Sequence, residues 1–179
     1  MLNKINIAAI VKDHIATLEN YHTGRVHYPD IFLFFIFPLI ISLFLVLVNV
    51  LLNDGMANAL ITSFSVFAAL LFNLLLLIYD ISGKSSNNPG SAEKQKSRKE
   101  VLRQLYINIS FSIFISVVAV VFLIIYFLKI KKCVLIWFNI CNLPPLLSLA
   151  VYYISGVFIL TLLMILKRIY ILLSKEFDV

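Results

Sequence analysis

Four stretches of the chain carry no charged residue, and each is long enough to cross a bilayer: 31–52, 57–79, 105–128 and 143–166. At 1.5 Å per residue the first would extend roughly 33 Å, close to the thickness of the hydrocarbon layer. The pattern predicts four transmembrane helices. Asn53-Asp54-Gly55 reads as a tight turn, which makes the first two spans an antiparallel hairpin over 31–80. The stretch 82–91, rich in Ser, Asn, Gly and Pro, reads as a loop. Ser97 followed by Glu100 matches a capping box, so the third helix is expected to start near Ser97. Pro144-Pro145 suits the first turn of the fourth helix, where a missing amide matters least. That helix should continue past the membrane through Ile169 to Leu173, with Lys167 and Arg168 snorkelling to the headgroups. The second hairpin therefore covers 105–173, the basic connector 81–104, and a short tail 174–179.

The first thirty residues follow another rhythm. Ile7, Ile10 or Val11, Ile15 and Leu18 recur every three or four positions, with Lys4, Lys12, Asp13 and Glu19 between them. That spacing predicts a short amphipathic helix lying on a membrane surface or against a partner. The fold expected is all-α: an integral membrane four-helix bundle of two antiparallel hairpins, preceded by an amphipathic cytoplasmic helix.

Composition supports the same solvent. Hydrophobic residues make up 61% of the chain and charged residues 13%, with a mean hydropathy of +0.99. A soluble domain is about half apolar and about a quarter charged. The net charge of +6 is not read as a nucleic-acid footprint, because the basic residues sit beside apolar runs, where anionic headgroups meet them. Lys and Arg also orient the chain. Three precede the first span, six lie in the middle connector and three in the tail, against three in the last connector and none in the first. The positive-inside rule then puts both termini in the cytoplasm. No cleavable leader or lipidation box is expected, since the first apolar run is too long for a signal peptide's core.

The spans contain no ionisable residue, which argues against a proton relay or ion-coupled transport. Small multidrug transporters rely on a Glu embedded in the first span; here that span offers Pro38, Ser42 and Asn49. Uncharged polar residues do align. Ser42 and Asn49 mark the first span, and Asn58, Thr62, Ser65 and Asn73 the second. The third carries Asn108, Ser112 and Ser116, and the fourth Ser148, Tyr152 and Ser155. Such stripes serve close helix packing through small residues and interhelical hydrogen bonds, or line a wet path in an oligomer. Lys94, Lys96, Arg98, Lys99 and Arg103 are candidates for contact with a partner or with lipid. Cys133 and Cys141 are either a disulfide pair in an oxidising compartment or two free thiols. His14, His22 and His27 lack the spacing of metal ligands and are expected to be solvated or to touch headgroups. No nucleophile–base pair, paired carboxylates or phosphate-binding loop is present, so neither enzymatic activity nor a cofactor is expected.

The stretch 158–170, in which Lys167-Arg168 closes a long apolar run, and the segment Thr17-Leu18-Glu19-Asn20-Tyr21-His22-Thr23-Gly24-Arg25 resemble small bacterial membrane proteins encoded in phage-defence operons. The resemblance implies an inner-membrane effector or membrane subunit of a defence system. It would oligomerise and perturb the membrane under control of a cytosolic protein encoded nearby. A passive anchor for a soluble enzyme and a holin-like lysis protein are the competing expectations.

Overall fold

The computed structural model describes residues 7–18, 32–84, 92–127 and 143–174, and all regular structure among them is helical. Helix α1 is Ile7–Ala16; a π-helical turn, Phe32–Ile36, leads into α2, Phe37–Leu47. Three long helices follow: α3, Asp54–Lys84; α4, Ala92–Phe127; and α5, Leu143–Ser174. Three stretches are long and apolar enough to cross a membrane: Asp54–Gly83, Arg98–Phe127 and Pro145–Ser174. The chain is thus a helical protein built like a multi-pass membrane protein. The first apolar run instead yields a shorter helical stretch, Phe32–Leu47, about 24 Å long.

Local chemistry explains why that helix is short. Pro38 has no amide to offer the carbonyl of Phe34, and the backbone opens into the wider turn just upstream. At the other end Asn49 has φ 65°, in the left-handed region. The Val50 amide donates to the Leu45 carbonyl at 2.9 Å and the Asn49 amide to that of Val46 at 3.0 Å. That pair of bonds is a Schellman stop with Asn at its left-handed position. Asn49 is exposed, and its position is explained by ending the helix.

The next helix starts earlier than the turn composition suggests. Asn53 caps α3, its Oδ1 accepting the Met56 amide at 2.8 Å. Asp54 and Gly55 are already helical, so the connection between α2 and α3 is 48–53. Likewise α4 begins at Ala92, ahead of the expected start at Ser97, because Ala92 to Gln95 are helix formers that need no cap at Ser97.

Packing departs from the expected pair of hairpins. The second exists, with α4 and α5 side by side. The first does not: α2 lies along α5, while α3 lies along α4. The buried positions of α3 are Ala57, Phe64, Leu71 and Ile78, a strict seven-residue spacing that makes one narrow seam. Phe64 and Phe67 both meet Phe158 of α5 edge to face, at ring-centroid distances of 5.1 and 5.7 Å. Leu102, Leu105, Ile109, Ala119 and Leu123 of α4 and Val151 and Ile165 of α5 complete the core. Gly156 sets the α2–α5 approach, since a β-carbon there would lie 2.9 Å from Pro38 Cβ. Pro38 and Ser42 on the facing helix are buried.

Candidate functional site: a buried polar latch at the N-terminal helix

Helix α1 docks on α4. Its apolar spacing places residue 14 on the same face as Ile7, Val11 and Leu18, and His14 occupies that place. The imidazole is buried, 1% exposed, whereas Ile15 on the flank is 39% exposed. The expectation of a solvated His14 is therefore corrected. Its ring stacks face to face on Phe111 of α4 at 3.7 Å, nearly parallel, and meets Phe34 of the π-helical turn edge-on at 6.3 Å.

The polar contacts are specific. His14 Nδ1 lies 3.0 Å from Asn108 Oδ1. An amide oxygen can only accept, so this bond puts the imidazole proton on Nδ1. The Thr17 hydroxyl sits 2.9 Å from the same oxygen and 2.7 Å from the His14 carbonyl, within donating range of both. Arg168 of α5 reaches across, Nη2 donating to the Thr17 carbonyl at 2.9 Å and Nη1 to the Gln104 carbonyl at 3.0 Å. The guanidinium thus ties the last turn of α1 to α4 and α5 together. Arg168, expected to snorkel outward, turns inward because two carbonyls offer it charge-assisted bonds. Burial pulls His14 down from 6.5 to about 4; the Asn108 bond works against this fall, and the Arg168 charge adds to it.

Three buried polar atoms around this contact have no hydrogen-bond partner among the described residues: His14 Nε2, Asn108 Nδ2 and Ser112 Oγ. Each such group costs about 1–3 kcal/mol. Such a latch is held by shape and stacking as much as by its bonds, and its polar atoms make its release cheap. No group of three His, Cys, Asp or Glu able to hold a metal ion occurs among the described residues.

The remaining sequence candidates divide by helix. Ser42, Asn108, Ser112, Ser116 and Ser148 are buried in the bundle. Ser148 Oγ accepts the Leu52 amide at 3.0 Å and so closes the α2–α3 connection onto α5. Tyr152 and Ser155 are half-buried, the latter donating to the Val151 carbonyl at 2.8 Å. Asn58, Thr62, Ser65 and Asn73 lie on the exposed side of α3, away from its seam. Arg98 is half-buried, while Lys99 and Arg103 are exposed, with Glu100 4.0 Å from Arg103. Lys94 and Lys96 fall within α4, but their side chains lie outside the described residues, as do Cys133, Cys141, His22 and His27. Sequence reasoning named Asn108 but missed His14, Thr17 and Arg168 as its neighbours. The available signal was the 7–11–14–18 spacing, which puts a histidine at the centre of an apolar face.

No known protein family, curated protein or solved structure matches this chain.

Proposed function

We propose that this chain is a bacterial inner-membrane effector, or the membrane subunit of a defence system, which assembles in the bilayer and perturbs it under control of a cytosolic partner. The observation that carries the reading is the latch. A segment of mixed polarity at the chain's start is clamped through His14, Thr17 and Arg168 onto two of the three long apolar helices. A partner that pulls α1 away would expose Asn108 and take from Arg168 one of its two carbonyl partners at the α4–α5 junction, so an event in water would reach the membrane-embedded body. A purely passive anchor gains nothing from such a contact.

The inner stretches 57–79, 105–128 and 143–166 carry no charged residue, which supports a role without coupled transport. The reading also places both termini in the cytoplasm and gives the chain no catalytic role. Expression with and without the neighbouring gene product, followed with a potential-sensitive dye, tests it. Depolarisation upon co-activation is the expected result. An unchanged membrane potential under every inducing condition would leave the anchor reading in its place, and timed lysis would point to a holin.

A further inference from the structure

We propose that the outward face of α3 is the seam along which two copies of this chain pair in the membrane, with Asn58, Thr62, Ser65 and Asn73 each meeting its own counterpart. The inference rests on the proposed reading that the chain assembles in the bilayer, and adds which face does it and with what symmetry.

Helix α3 is the least covered of the long helices. Its most apolar window is 17% buried within the chain, against 33% for those of α4 and α5. Turning 100° per residue, the buried series at 57, 64, 71 and 78 and the series at 58, 62, 65, 69 and 73 fall on nearly opposite sides of the helix. The second series is exposed throughout. Thr62 satisfies its hydroxyl locally, donating to the Asn58 carbonyl at 3.0 Å. The Asn58, Ser65 and Asn73 side chains have no hydrogen-bond partner among the described residues. Asn73 lies about 10 Å along the helix from Asp80, well inside the apolar stretch. Hydrocarbon offers a carboxamide nothing, so its bonds must come from protein.

A second copy is the occupant that matches this face best. Copies inserted in one orientation are related by an axis along the bilayer normal, which keeps equal residues at equal depth. A carboxamide carries both donor and acceptor, so Asn73 against Asn73 is self-complementary, whereas an all-apolar partner would leave it unsatisfied. Ser65 and Ala69 on this face let two such helices approach closely. A shallow open depression of about 490 Å³ runs along one flank of this face, where Asn58 and Thr62 adjoin Ala59, Ser63, Val66 and Phe67.

The test is disulfide scanning of the full-length chain in native membranes, with Cys133 and Cys141 replaced by Ser. Single cysteines are placed at Thr62, Ser65, Ala69 and Asn73, and as exposed controls off the stripe at Phe67 and Leu70. Oxidation should yield linked dimers at the first four positions, several-fold above the controls. In an otherwise native chain, Asn73→Leu should weaken pairing about three-fold for each hydrogen bond lost. Uniform linking around the helix, linking strongest at Phe67 and Leu70, or none at all would overturn the seam. Membrane potential measured in the same cells separates the two ideas. Depolarisation without stripe-specific links removes the seam and keeps the effector; stripe-specific links without depolarisation keep the seam and remove the effector.

Discussion

Acidification should undock α1, and His14 sets how far. The docked imidazole titrates at about 4 and the free one at 6.5, so docking favours the neutral ring. Above 6.5 both states are neutral and the latch has its full strength. As pH falls through this window the undocked state takes up a proton that the docked state refuses, and the loss levels off below about 4. At about 1.4 kcal/mol per pH unit, the complete loss is about 3 kcal/mol. Between pH 7 and pH 5 it amounts to about 2 kcal/mol, or roughly a twenty-fold rise in the open population. Amide hydrogen exchange of residues 11–18 in detergent micelles or nanodiscs reads that opening, once corrected for the intrinsic pH dependence of exchange. His14→Gln is the reference, since it keeps His22 and His27 but cannot titrate at the latch. The wild-type to variant ratio of protection should fall about twenty-fold over this range. A ratio that stays flat would refute the claim that a neutral, buried His14 holds the helix down.

Arg168→Gln removes two charge-assisted bonds, to the Thr17 and Gln104 carbonyls. It should release α1 to limited proteolysis, costing the latch about 2 kcal/mol, and leave the melting of α3 to α5 little changed by circular dichroism. At the end of α2, Asn49→Gly should be neutral, while Asn49→Leu forces a branched side chain into φ 65° and costs about 1–2 kcal/mol; thermal melts of the two variants in one detergent decide it. Gly156→Leu drives a side chain into Pro38 and should destabilise the α2–α5 contact by about 1–3 kcal/mol, visible as lost cross-linking between cysteines on those helices. For topology, Ser86→Cys in a chain lacking Cys133 and Cys141 should react with an impermeant maleimide only in inverted vesicles; labelling of intact cells would invert the orientation.

Helix identity was legible in the sequence almost wherever charge was missing for twenty residues or more. Three of the four runs became the long apolar helices, because an uninterrupted backbone with no competing charge has no other way to satisfy its polar groups in lipid. Their ends were less legible. Asn53-Asp54-Gly55 has the composition of a turn, yet a cap and a first helical turn use the same residues. Asn49 has the composition of a buried polar contact, yet its backbone angle gives it a different task. Residue type alone does not separate these uses.

Secondary structure and apolar bias were readable from the sequence alone: long helices, three of them apolar enough to cross a membrane, with polar but uncharged residues along their middles. Both follow from local composition and period. Partnership was decided only in three dimensions. That α2 leaves its neighbour α3 and lies on α5 depends on Gly156 meeting Pro38, more than a hundred residues apart in sequence. That His14 is buried depends on Asn108, Phe111 and Arg168 converging from two other helices. Hydrophobic period states which face of α1 is covered, but the membrane-length stretches of α3, α4 and α5 are apolar nearly all round. In such a chain the choice of partner falls to small residues and stray polar groups, whose complementarity exists only between helices already side by side.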